Sequence, residues 1–282
     1  MAIIHDNMES AQNKANPKAA LEAAVQASLA RIKHKFIVMS GKGGVGKTST
    51  AVNLSMALAR QGARVGLIDV DLHGPDVPRM LGYHGIVDMN QENKLVPMKY
   101  GENLRAISIE ALMEGKDDAI IWRGPVKHSM IQQFIGLVAW GELDFLVVDA
   151  PPGTGDEPLT VAQVIKDAQA VIVTTPQEVS LADVRKSINF CHTVKMKIFG
   201  LVENMSGLVC PHCNSVLDLF GTGGGERTAN AMGLTFLGRI PFDPEMVACG
   251  DAGVAYQEKY PQSAVTVAYA QIAKKMLAGS MG

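Results

Sequence analysis

The stretch Ser40-Gly41-Lys42-Gly43-Gly44-Val45-Gly46-Lys47-Thr48 has the residue types and spacing that suit polyphosphate binding. It fits G-x-x-x-x-G-K-[ST] and lies between an apolar run and a stretch of helical periodicity. Glycines let backbone N–H groups turn inward around phosphate oxygens, and a helix starting near Lys47 adds the positive end of its dipole. Lys47 can pair with β- and γ-phosphates, and the Thr48 hydroxyl can ligate Mg²⁺. The nucleotide-binding stretch is therefore expected to run from Gly41 to Ser49.

Carboxylates that could complete a hydrolase follow two other apolar runs. Asp69 and Asp71 end Leu67-Ile68-Asp69-Val70-Asp71, and Asp149 ends Phe145-Leu146-Val147-Val148-Asp149. An acid at the carboxyl end of a buried strand lies on the ligand-bearing edge of an α/β sheet. Asp149 is thus expected to hold a Mg²⁺-bound water, with Asp69 supporting Asp71 or the metal. The following Gly153-Thr154-Gly155 turn suits a loop that senses the γ-phosphate. Asp76 and Asp156 read equally well as caps or turn acids. Asn204, after a later apolar run, carries an amide that can both donate and accept at a purine edge. Pro241-Phe242-Asp243 is placed to flank the same base.

The third chemical signal is Cys210-Pro211-His212-Cys213. A structural zinc takes four protein ligands, usually from two such pairs, and here Cys191 and Cys249 stand apart. A thioredoxin-like redox pair belongs to a fold of different order without a phosphate loop. A third possibility is a cluster shared between chains, because two thiolates from each of two copies make the four that a [4Fe–4S] cluster takes.

These residues need a scaffold. Short apolar runs at 36–39, 65–68, 145–148, 171–173 and 198–202, with a weaker one at 234–240, read as buried strands. Helical patterns at 48–61, 125–139, 158–166, 181–194 and 224–232 alternate with them. The alternation predicts an α/β fold with a doubly wound, mostly parallel sheet and helices on both faces. Residues 95–98 and 104–109 around Tyr100-Gly101-Glu102-Asn103 predict a β-hairpin within or at the edge of that sheet. Residues 1–34 read as a polar tail and a short helix, and residues 35–282 as one ATPase domain.

With 26 basic and 28 acidic residues the net charge is −2, which gives no electrostatic footprint for sequence-independent nucleic-acid binding. No run approaches the roughly 20 apolar residues of a bilayer span, and Met1 to Lys18 lacks the apolar core of a secretory signal. A cytoplasmic location is expected.

Lys-Gly-Gly-Val-Gly-Lys-Thr at 42–48 resembles the deviant phosphate loop of the MinD/ParA class of ATPases. The resemblance implies a nucleotide-sandwich dimer in which Lys42 reaches the partner's phosphates, and it makes Asp71 the residue that orients or activates the attacking water. Together with Asp69–Asp76, Trp122-Arg123-Gly124-Pro125, Asp149–Glu157, Thr174-Thr175-Pro176-Gln177, Glu203–Gly207 and Cys210–Cys213, the run at 30–275 resembles the Mrp/ApbC-type iron–sulfur cluster carrier ATPases. That family implies Asn204 as the adenine reader and Cys210 and Cys213 as cluster ligands. It also implies a homodimer, apo iron–sulfur proteins as acceptors, and ATP with Mg²⁺ and a [4Fe–4S] cluster as bound groups. Residues 1–35 contain no cysteine, so no further cluster is expected there. Cys191 and Cys249 are expected to be core residues or unpaired thiols.

Two other readings compete with the carrier. A positioning ATPase of the MinD/ParA type would leave the cysteine pair idle, and the final helical run at 264–278 lacks the large apolar and basic faces of a membrane-surface helix. A zinc-binding scaffold with a degenerate nucleotide site sits poorly with an intact Lys47, Thr48, Asp71 and Asp149.

Overall fold

The computed structural model describes residues 17–72, 74–83, 87–112, 124–210, 213 and 215–280. Residues 1–16 of the tail expected at 1–18, and the Trp122-Arg123 pair, lie outside these residues.

Helix α1 (Pro17–Leu29) leads into β1 (Ile32–Met39), whose last five residues are all buried. Alternation along β1 divides the core. Ile37 and Met39 face one layer, with Val25 and Leu29 of α1, while Phe36 and Val38 face the other. After the phosphate loop come α2 (Lys47–Arg60), β2 (Val65–Asp69) and the short α3 (Val77–Met80). The hairpin of β3 (Met98–Tyr100) and β4 (Leu104–Ser108) turns at Gly101 (φ 61°). Then follow α4 (Gly124–Leu137), β5 (Leu143–Asp149), α5 (Asp156–Val164), β6 (Gln169–Thr174), α6 (Glu178–Thr193) and β7 (Lys197–Glu203). A small antiparallel pair, β8 (Leu208–Val209) and β9 (Val216–Leu217), precedes α7 (Gly224–Ala231) and β10 (Phe236–Arg239). The described chain ends with α8 (Pro244–Asp251), α9 (Tyr256–Lys259) and α10 (Ala264–Gly279).

The main sheet has the order β10-β7-β6-β1-β5-β2-β4-β3, and every neighbouring pair except β4–β3 is parallel. The expected doubly wound sheet is present. The hairpin lies at its edge, where β4 also pairs with β2 and β3 closes the row. One face is covered by α1, α4, α5 and α6 through residues such as Phe134, Val161 and Ile188. The other is covered by α2 and α10 through Leu54, Leu58, Tyr269 and Ile272. Each such fully buried side chain contributes about 1.5–3 kcal/mol over its exposed state.

The final helix packs as an ordinary core element: Val265, Tyr269, Ile272, Ala273 and Met276 are buried, and Ser263 caps it by accepting from Thr266 N–H. No helix among the described residues is long and apolar enough to cross a membrane. Helices α3, α8 and α9 have no counterpart in the expected pattern. Two are only four residues long, too short for a periodicity to register.

Candidate functional site

The phosphate loop, Asp69 and Asp149 all sit at the carboxyl ends of strands, on the edge where such sheets bind ligands. The loop is held from several sides. Ser40 Oγ donates to Lys42 O at 2.8 Å, and Gly153 N–H donates to Ser40 O at 2.9 Å. Gly41 passes so close to α6 that a Cβ there would lie 2.3 Å from Asp183 O. Gly46, in left-handed conformation at φ 79°, caps α2, whose first turn holds no acidic residue to neutralise its free N–H groups. Thr48 and Ser49 follow on that first turn, half-buried.

Lys47 is buried beneath this loop. Its Nζ lies 2.7 Å from Asp149 Oδ1, 3.6 Å from Asp71 Oδ2 and 3.4 Å from Thr48 Oγ1. Asp149 Oδ2 is buried without a hydrogen-bond partner among the described residues. Burial pushes the Asp149 carboxyl above its ordinary pKa, opposed by the Lys47 ammonium.

Asp69 stands beside Asp149 in the β2–β5 register. Its Oδ1 accepts from Asp71 N–H at 3.0 Å, and Oδ2 accepts from Val77 N–H at 3.2 Å and from the Ser108 hydroxyl at 3.4 Å. Both oxygens are thus engaged in shaping the loop that carries Asp71. Burial, then the neighbouring Asp149, hold the Asp69 carboxyl well above the usual carboxylate range. Asp76 caps α3 without a side-chain hydrogen bond, and Asp156 opens α5.

Beside the loop lies a cavity of about 260 Å³. Gly46, Thr48 and Ser49 form one wall, Asn204 and Pro241 another, and Arg79, Met80, Phe242 and Met246 close it. Asn204 Nδ2 donates to Val45 O at 2.9 Å, so this amide already touches the phosphate loop. The structure therefore brings Asn204 and Pro241 to the cavity beside residues 46–49. The α3 and α8 wall went unforeseen. Its one local sign is the Asp243-Pro244-Glu245 helix start, where Asp243 Oδ1 accepts from Glu245 N–H at 2.9 Å.

Cys210 and Cys213 sit at the tip of the β8–β9 ribbon. Cys210 N–H donates to Ser215 O at 2.9 Å, closing the turn. Cys213 is exposed, and its Sγ lies 3.4 Å from Ser215 Oγ. Hydrogen bonds to Ser215, and then to Cys210, hold the Cys213 thiol below the ordinary thiol range. No group of three or more His, Cys, Asp or Glu side chains able to hold a metal occurs among the described residues. Cys191 and Cys249 are free and buried, as expected, and burial pushes the Cys191 thiol up to about 12. The ribbon is anchored to the cavity wall: Phe242 N–H donates to Gly207 O at 2.8 Å, and Ser206 N–H to Ile240 O at 2.9 Å.

The phosphate loop and the cysteine pair thus share one sheet edge, with Cys213 exposed and Cys210 half-buried. Residues 31–277 match the ParA family described as NUBPL iron-transfer P-loop NTPase. The chain belongs to this iron-transfer P-loop NTPase family. Among its relatives, the iron-sulfur cluster carrier protein of Saccharolobus solfataricus is 45% identical over 92% of this chain and 88% of its own length. The cytosolic Fe-S cluster assembly factor NUBP2 of Rattus norvegicus is 42% identical over 91% of this chain and 97% of its own length. A solved nucleotide-binding protein from Archaeoglobus fulgidus, in complex with ADP, superposes with TM-score 0.73 at 38% identity, covering 82% of this chain and 91% of that one. The cell division ATPase MinD of Pyrococcus furiosus superposes with TM-score 0.66 at 22% identity, over 87% of this chain and 99% of that one, a likeness of fold alone.

Proposed function

We propose that this iron-transfer P-loop NTPase binds and hydrolyses ATP and carries a [4Fe–4S] cluster, bridged between two copies of the chain, to apo iron–sulfur proteins. The observation that carries the reading is the joint placement of a buried Lys47–Asp149–Asp71 centre and the Cys210/Cys213 pair, the first half-buried and the second exposed, on one sheet edge. Two named relatives are an iron-sulfur cluster carrier and a cytosolic Fe-S cluster assembly factor, which supports both the cargo and a cytoplasmic location.

The cargo follows from ligand counting. One chain offers two thiols, Cys213 exposed and Cys210 half-buried, and no third metal-binding partner among the described residues, whereas a [4Fe–4S] cluster takes four. A second copy supplies the rest. The exposed Cys213 thiol is open to a metal from solvent.

For ATP, the backbone N–H groups at 43–48 receive the phosphates and Lys47 turns from Asp149 to the β- and γ-oxygens. Thr48 and Asp149 fit a Mg²⁺ ion, since Thr48 offers a hydroxyl and Asp149 Oδ2 is buried without a partner. When bound, that ion neutralises charge on the phosphates. Asp69 fixes the Asp71 backbone, and Asp71 orients the water whose oxygen bonds to the γ-phosphorus as the bond to ADP breaks. Lys42 acts across the dimer on the partner's phosphates. Asn204 and Pro241 receive the adenine.

Anaerobic reconstitution with iron and sulfide, read by absorbance and molecular mass, tests the cargo. A dimer holding about four irons is expected, lost in Cys210→Ser/Cys213→Ser. A stoichiometric zinc in monomers would sink the reading. Phosphate release tests the reaction, and Asp71→Ala is expected to abolish it while ATP still binds.

A further inference from the structure

Glu203, the last residue of β7, is a carboxylate with no exposed surface, and ATP chemistry does not use it. Its Oε1 accepts from the Ser206 hydroxyl at 2.5 Å and from Gly223 N–H at 2.8 Å. Its Oε2 accepts from Gly225 N–H at 2.5 Å, and Arg239 Nε lies 3.4 Å from Oε1. A buried charge is tolerated only when hydrogen bonds replace its lost hydration. Here those bonds come from two separated places in the chain. Ser206 stands where the backbone leaves for the cysteine ribbon, and Gly223 and Gly225 stand where it returns.

The returning glycines are shaped for this contact. Gly223 adopts φ 75°, and a Cβ on Gly225 would lie 3.0 Å from Glu203 Oε2. One side chain therefore pins both ends of the segment 206–223, which carries Cys210 and Cys213.

The next two residues face the other way. Asn204 donates to Val45 O in the phosphate loop, and a Cβ on Gly46 would meet Asn204 Nδ2 at 2.2 Å. Met205 lines the cavity and sits at φ 55°, an uncommon conformation for a residue with a side chain. Four consecutive residues, 203–206, thus grip the cysteine segment on one side and the nucleotide cavity on the other.

We propose that Glu203 is a positioning residue that couples occupancy of the nucleotide cavity to the geometry of the Cys210/Cys213 ribbon. The inference rests on the carrier reading above and gives its regulation a physical route. A nucleotide that engages Asn204 draws it from Val45, the strained turn at Met205 adjusts, and Ser206 carries the change to Glu203. Because Glu203 holds both ends of 206–223, the ribbon shifts as a unit. The coupling is reciprocal: whatever stiffens the ribbon also changes nucleotide affinity.

The test uses the metal-free, full-length chain. Alkylation of Cys213 by iodoacetamide is followed by peptide mass spectrometry with and without MgATP, and ATP binding is measured separately by calorimetry. In wild type, MgATP is expected to change the Cys213 rate by about fivefold, the low end of typical coupling between sites. A glutamine amide cannot accept both glycine N–H groups through both of its end atoms. In Glu203→Gln the response should therefore fall below about twofold while ATP still binds. A merely structural role would alter the rate equally with and without nucleotide. Ser206→Ala cuts only the outgoing tie and is expected to reduce the response, which keeps a readout should Glu203→Gln fail to fold. A flat response in wild type, or a wild-type response in both variants, overturns the proposal. Failed cluster reconstitution would overturn the carrier reading instead and leave this thiol response intact.

Discussion

Lys47 Nζ stands 2.7 Å from Asp149 Oδ1, and the two side chains are 7% and 0% exposed. The lysine of the phosphate loop is thus balanced by the acid at the end of β5. In the proposed function, the phosphates of ATP take the place of that partner. The site is charged and ready, yet its internal pairing spares the fold an isolated buried cation.

Removing one member of the pair strands the other. Lys47→Met is expected to lower the unfolding free energy of the nucleotide-free protein by about 3 kcal/mol. Lys47→Met/Asp149→Asn should cost less than the sum of the single changes, because neither leaves an unpaired partner. Urea unfolding of the four proteins gives the cycle. Strict additivity would show that the contact carries no stability.

At the opposite end of β5, Asp144 accepts from Arg64 N–H at 2.9 Å and lies 2.9 Å from Lys33 Nζ. The Arg64 guanidinium, with help from Lys33, holds the Asp144 carboxyl well below the usual carboxylate range. Since the folded pKa lies below the unfolded one, this contribution is present at neutral pH and is lost as pH falls through the folded value. Asp144→Asn should destabilise at pH 7, and the difference from wild type should shrink steadily below about pH 4. Added salt should shrink it too, since the pair lies near solvent. Urea titrations across a pH series read both effects; a gap that widens in acid would contradict them.

The four thiols should separate by reactivity. Cys213 is exposed and lowered by Ser215, whereas Cys191 and Cys249 are buried and raised. Native alkylation at pH 7.5 should modify Cys213 and leave Cys191 and Cys249 untouched until denaturant is added. Ser215→Ala should slow Cys213 severalfold by removing the hydroxyl that favours its thiolate. Modification of Cys249 at a comparable rate would refute the packing around α8.

Helix α10 offers a test of the competing membrane reading. Ile272 is buried against Leu237, Tyr269 and their neighbours in the core. Ile272→Ala should cost about 2–5 kcal/mol of stability. Wild type and variant should both stay in solution when mixed with anionic vesicles and sedimented. Wild-type binding that is lost in the variant would favour a surface helix instead.

The legible parts of this protein were those written in short stretches of chain. Val65–Ile68 and Val171–Val173 announced themselves as strands because both faces are buried, and an uninterrupted apolar run has few other uses. The glycines at 41–46 announced a loop because Gly44 and Gly46 need positive φ. Glu203 stood within a recognisable stretch, but its role was hidden: its partners Gly223 and Gly225 lie 20 and 22 residues away, and nothing local marks an acid that will be buried. The cavity wall at Arg79, Met80 and Met246 was equally hidden, since it joins two short helices far apart in sequence.

A phosphate cradle is a local object, so residues 40–48 could be read for chemistry without a fold: spacing alone decides where the N–H groups, the ammonium and the hydroxyl fall. The cysteine pair was likewise readable as a candidate metal site. What folding decided was which charges meet. Strand order placed Asp149 next to Asp69 and under Lys47, across 102 residues of chain from that lysine. It also gathered the ribbon, the phosphate loop and Glu203 onto one edge. Such pairings depend on how strands are shuffled in the sheet, and strand order leaves no periodic trace in the residues themselves.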